Sequence, residues 1–254
     1  MAIGLLSCQK AQRDEDTSTV SAEDVSLGHM VFSDAYKIMR EVALQTAGVS
    51  DSKTSITTLF GCEAIKSDTN SDPMTITIDF KYIGCQGLNM ERYGRLVGEF
   101  YGKFPEVNSA MDLNFSNYYF GDYEVNGKVR VIFKGDNSDG NAVNSFYVQG
   151  GSLKDDNGTV TWTASHSWED MGMEGDEHIF SVSGNSNGVN RKGNVFFSEI
   201  KSPISLNDKC IYLNSGRREL EVINLSNRSV TYEGTSCSAA GVATINGARY
   251  PFTY

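Results

Sequence analysis

Polar and apolar residues change their period once along the chain. Leu27, Val31, Ala35, Ile38 and Val42 recur at steps of three or four, with Ser33, Asp34, Lys37, Arg40 and Glu41 on the other side. This spacing predicts an amphipathic helix of about twenty residues. Ser21-Ala22-Glu23-Asp24 before it has the form of a capping box, and Gly48 after it supplies an end. The apolar stripe is expected to pack on the rest of the protein; docking a partner is the alternative.

From residue 54 the period becomes two. Ile76, Ile78 and Phe80 alternate with Thr75, Thr77 and Asp79, and Met111, Leu113 and Phe115 with Asp112, Asn114 and Ser116. The longest run sets Val160, Trp162, Ala164, His166 and Trp168 against Thr159, Thr161, Thr163, Ser165 and Ser167. Such strands bury one face and wet the other. Asn126-Gly127, Asp139-Gly140, Asn157-Gly158, Asn187-Gly188 and Asn246-Gly247 punctuate them with hairpin turns. The expectation is an all-β fold, an antiparallel meander or sandwich with one N-terminal amphipathic helix. Its parts would be a tether over 1–24, the helix over 25–48 and a β domain over 54–254.

Composition agrees and narrows the function. The 254 residues include 25 glycines and only four prolines, with 11% aromatic residues, as suits sheets and turns. Thirty-two acidic residues against 22 basic ones leave a net charge of -10. That excess argues against nucleic acid as a partner. No apolar run reaches the length of a membrane-spanning helix.

Five cysteines leave one over. Cys62 with Cys85 and Cys210 with Cys237 form two local pairs, each bracketing a strand-like segment, with no knuckle spacing for a metal. Four cysteines allow three connectivities; the local one closes the shortest loops. It implies two disulfides and an oxidising compartment, against free buried thiols in a cytosolic fold. Ile78 to Cys85 also echoes Val230 to Cys237: an apolar residue stands seven before each cysteine and an aromatic one five before. Two disulfide-stapled hairpin units around a central run of strands would produce that echo.

Cys8 stands apart. Leu5-Leu6-Ser7-Cys8 resembles a bacterial lipobox, although the tract before it is short and lacks a basic residue. Either the start is placed too far downstream or the match is chance. Residues 9–24 are polar and aperiodic, in keeping with a solvated tether behind a lipidated Cys8. Asp14-Glu15-Asp16 is similar to the acidic export signal that follows the lipid cysteine of Bacteroidetes surface lipoproteins, where the charges sit nearer the cysteine.

Candidate chemistry is sparse. Glu169, Asp170, Glu174 and Asp176, with Glu177 beside them and His166 and His178 flanking, could form a weak hard-cation site, calcium being the natural ion. The ordinary reading of that cluster is a solvated hairpin loop. Asp136-Asn137-Ser138-Asp139-Gly140-Asn141 is oxygen-rich but lacks the order of a calcium loop, and reads as a turn. Trp162 and Trp168 share a strand face with His166; exposed, they would make a platform for a sugar ring, and buried, they are core. No nucleophile elbow, phosphate loop or His-Glu-x-x-His is present. No catalytic residue is assigned.

One resemblance joins these features. The series Cys62, Thr77-Ile78-Asp79-Phe80, Cys85 and Gly94-Arg95, then Cys210, Ser215-Gly216, Cys237 and Ile245-Asn246-Gly247, resembles putative Bacteroidetes surface or outer-membrane lipoproteins. Ser183-Gly184-Asn185-Ser186-Asn187-Gly188, Gly193 and Pro203 fit between them. Lys81 stands where glycine is more usual, and Ser236-Cys237-Ser238 replaces Gly-Cys-Asp. The resemblance implies an envelope location and little chemistry. Together with Cys8 and its polar tether, the two cysteine pairs and the lack of a catalytic pattern, the expectation is a cell-envelope protein, lipid-anchored to the outer membrane and periplasmic or surface-exposed, acting as a non-enzymatic binding or structural module. A secreted carbohydrate-active hydrolase using strand-borne carboxylates is the alternative.

Overall fold

The structure, a computed structural model, describes residues 16–47, 60–81, 84–234 and 237–254. Cys8 and the acidic residues Asp14 and Glu15 lie outside them. Helix α1 (Val20–Thr46) is followed by fourteen strands: β1 (Ala64–Asp68), β2 (Met74–Asp79), β3 (Cys85–Gly87), β4 (Met90–Tyr101), β5 (Ala110–Phe120), β6 (Tyr123–Asp136) and β7 (Ala142–Asp155). The series continues with β8 (Gly158–Glu174), β9 (Glu177–Val189), β10 (Val195–Asn207), β11 (Ser215–Val222), β12 (Arg228–Glu233), β13 (Ala240–Ile245) and β14 (Ala248–Thr253). They form one antiparallel sheet in chain order, with β3 set aside against β4. Of the two architectures the pattern allowed, the meander is the one formed.

The alternation in β8 is obeyed residue by residue: Val160, Trp162, Ala164, His166 and Trp168 are buried while the threonines and serines between them are exposed. Asn246 and Gly247, at φ +51° and +84°, turn β13 into β14 as an Asn-Gly hairpin should. Proline keeps to places where a missing N–H costs little. Pro203 falls where the β9–β10 register shifts between Glu199 and Ile204, and Pro251 lies on the edge strand β14.

The helix departs from expectation. It starts at Val20, so residues 20–24, assigned above to the tether, are helical. Thr19 takes the N-cap position instead of Ser21, and its hydroxyl donates to Glu23 at 2.7 Å. Asp16 and the Ser18 carbonyl bind the buried Arg228 of β12 at 2.5 and 2.7 Å, so residues 16–19 are docked. More important, 20 of the 27 helical residues are buried, including Ser33, Asp34 and Lys37 from the polar side. The reason is the sheet's curl: α1 packs against β4, β5, β7, β8 and β14, strands from both ends of the strand order. A helix encircled in this way has no wet face along most of its length.

Both disulfides are formed as the local pairing requires, Cys62–Cys85 and Cys210–Cys237. The first ties the segment before β1 to β3. The second ties the β10–β11 connection to that between β12 and β13.

Candidate functional site

A helix enclosed by a sheet carries polar side chains inward, and each one left without a partner costs free energy. Asn190 donates to Ser21 at 2.8 Å, and Arg191 donates through its backbone N and Nε to Asp24 at 2.7 and 2.6 Å. Ser26 meets the Tyr232 hydroxyl of β12 at 2.6 Å. Arg218 of β11 donates through Nη2 to Nδ1 of His29 at 2.6 Å. Asp34 receives Nε and Nη2 of Arg92, from β4, at 2.8 to 3.0 Å. Lys37 donates to the carbonyls of Asn207 and Cys210 at 2.8 and 2.6 Å. Arg40 reaches Asp170 of β8 at 2.6 Å. These bonds run the length of α1 and fix its rotation and depth inside the sheet.

The acidic hairpin of β8 and β9 is absorbed into the same network rather than gathered around a cation. Asp170 accepts from Arg40 and is bonded to His178, whose ring stacks on Phe180. Glu169 accepts from Asn137 and Asn141 at 2.7 and 2.8 Å. Asp176 pairs with Lys209, and Glu174 is exposed at the end of β8. Three of the four carboxylates thus turn to separate partners, and among the described residues the four do not converge as metal ligands. The group that does converge, Cys62, Glu63 and Cys85, contains a disulfide, whose sulfurs are no longer thiolates. Asp136 to Asn141 is a plain hairpin turn, in which Asn137 Oδ1 accepts the backbone N–H of Asp139 and Asn141.

Trp162 and Trp168 are core and form no exposed platform. Both are essentially without exposed surface; Trp162 stacks on Phe32 of the helix at 5.5 Å between centroids, and Trp168 meets Tyr36 edge-on at 4.9 Å. His166, between them on β8, lies 4.8 Å from the His29 ring and is also buried. Burial holds the His166 pKa down at about 3 and pushes that of His29 well below the ordinary histidine value, so both rings are neutral.

Concave surface remains at the C-terminal mouth of the helix. A groove of about 730 Å³ opens between Arg40 and Leu44 on one side and Pro105, Val107, Phe133 and Val143 on the other. That is the size of an ordinary small-molecule site. A smaller one, about 170 Å³, lies across Arg40 and is lined by Lys37, Phe60, Leu88, Phe180 and Asp208. Burial lowers the Lys37 pKa to about 8. Arg40 stands between the two grooves, held by Asp170 and lying over the Phe180 ring at 5.2 Å. Sequence periodicity marks Arg40 only as a polar helix position, and its place at the mouth follows from the curl of the sheet.

Among the described residues no helix is long and apolar enough to cross a membrane. No family model, curated protein or solved structure matches the chain.

Proposed function

We propose that the chain is a lipid-anchored module of the bacterial cell envelope that binds rather than transforms its ligand, with the mouth of the helix as the binding surface. The observation that carries this reading is the occupation of the sheet's interior by α1. The volume a curled sheet could devote to an enclosed active site is filled with the protein's own side chains, and the roomiest groove beside the helix, around Arg40 and Leu44, is open and partly apolar. Two disulfides support an oxidising compartment. The anchor is assigned to Cys8, and the outer membrane follows from the resemblance described above. The hydrolase alternative gains nothing from the groove. Its two carboxylates, Glu106 and Asp136, are both solvent-exposed.

The test is the intact mass of the protein recovered from the membrane fraction of a bacterium expressing the gene with its native upstream sequence. The expected mass carries an acylglyceryl modification at Cys8 and the hydrogen loss of two disulfides. An unmodified protein in the soluble fraction would overturn the anchor.

A further inference from the structure

Three arginines, Arg92, Arg218 and Arg228, are fully buried, Arg40 and Arg191 are mostly so, and they are not treated alike. Arg92 is matched by Asp34, Arg228 by Asp16 and Arg191 by Asp24. Arg218 has no exposed surface and no carboxylate partner among the described residues. Its one hydrogen bond goes to a neutral histidine, its plane lies 5.5 Å from the Tyr232 ring, and its Nε and Nη1 have no partner. An arginine cannot shed its proton to escape such a place. Lys37 on the same helix adds to the positive potential at His29, while the nearby acids Asp24 and Asp34 are already taken by Arg191 and Arg92.

The groups around Arg218 are donors in want of an acceptor. Guanidinium nitrogens only donate, so Nδ1 of His29 carries the lone pair and Nε2 carries the proton; that Nε2 is buried without a partner. His166, 4.8 Å away between ring centroids, has neither nitrogen bonded and supplies a second N–H. Ser186 and Ser198 face each other across β9 and β10, both buried with unbonded hydroxyls. On β9 Ser186 stands two residues from Gly184, which pairs with His166, and on β10 Ser198 stands two residues from Ile200, which pairs with Arg218. Gly184 puts no side chain beside His166. Water can satisfy hydrogen bonds there, but only a negative charge offsets the guanidinium.

We propose that the protein binds a small monovalent anion, of chloride or formate size, under α1 at Arg218, with His29, His166, Ser186 and Ser198 as its hydrogen-bond donors. The site is separate from the mouth groove and stands whether or not the envelope assignment does. Its role is to complete the contact between helix and sheet.

The test uses the full-length protein with disulfides intact, unfolded and refolded in chloride, bromide, formate or gluconate at one ionic strength, so that entry of the ion is not limiting. The thermal midpoint is expected to rise saturably by about 3 °C from gluconate, too large to enter, to chloride. Arg218→Met keeps the stem, removes the charge and is expected to abolish the difference. Because that variant could fail to fold, bromide anomalous scattering from wild-type crystals gives an independent measure, with a peak expected within hydrogen-bond distance of Arg218. Equal midpoints in all four salts, an anion effect that survives in Arg218→Met, or bromide density that avoids Arg218 would each overturn the proposal.

Discussion

Gly28, in the middle of α1, lies flat against the indole of Trp162: a Cβ at this glycine would come within 2.8 Å of the Trp162 Cγ and 3.0 Å of its Cδ1 and Cδ2. One turn further along the helix, Phe32 stacks on the same ring. Alanine normally improves a helix over glycine by about 1 kcal/mol, yet overpacking a tight core contact costs about 1–3 kcal/mol. Gly28→Ala is therefore expected to destabilise the protein by up to about 2 kcal/mol net. A urea titration checks the sign, and a more stable variant would mean that α1 is not seated on Trp162.

Asp34 and Arg92 carry a second expectation. The pair is buried and bonded at 2.8 to 3.0 Å, and Arg92 also donates to the carbonyls of Gly87 and Met90 at 2.7 and 3.0 Å. Removing one partner leaves a buried charge, at a cost of about 3–5 kcal/mol, whereas apolar replacement of both is often nearly neutral. Asp34→Leu should thus lower stability far more than the Asp34→Leu, Arg92→Met double variant, measured by the same titration.

Acid should weaken the protein through its buried histidines. The folded state keeps His166 neutral down to about pH 3, against an ordinary pKa of 6.5, and shifts His29 the same way by burial and then by His166 and Arg218. Below about pH 6.5 the unfolded chain takes up protons that the folded chain refuses, so stability falls as pH drops. Each histidine contributes a slope of about 1.4 kcal/mol per pH unit. His166→Leu is expected to make the plot of unfolding free energy against pH shallower by that amount between pH 4 and 6. Lys37 acts at the other end: with its folded pKa lowered to about 8 from 10.5, stability should rise with pH between those values.

How much of this was legible in the residues alone can be traced position by position. The period of two in Val160 to Trp168, the turn pairs and the cysteine spacing are local signals, and the strands, the Asn246-Gly247 hairpin and both disulfides follow from them. Lys81 takes a φ of +63°, a backbone that glycine favours. The burial of Ser33, Asp34 and Lys37 was not legible, because a helical period records which residues share a face, not how many faces a sheet covers. Nor was the Arg218 cluster: His29, His166, Ser186, Ser198 and Arg218 come from five elements, brought together by the register of β8 to β11 and the seating of α1 against the sheet.

The disulfides should matter in proportion to the chain they close. Their partners are 23 and 27 residues apart. On the loop-entropy estimate each stabilises the fold by about 3.5 kcal/mol. Replacing Cys210 and Cys237 together by serine should lower the denaturation midpoint with the far-ultraviolet spectrum intact at low denaturant. Because Lys37 is bonded to the Cys210 carbonyl, that loss should also make the C-terminal half of α1 less protected.

The account rests on α1 being the innermost element, and native-state hydrogen exchange reads this directly. The backbone amides of Val31 to Met39 are expected to exchange only through global unfolding, with the same free energy as those of Phe146 and Trp162 in β7 and β8. Exchange of the helix at a markedly lower free energy than the sheet would show that α1 can leave while the strands remain, and would contradict a sheet built around its own helix.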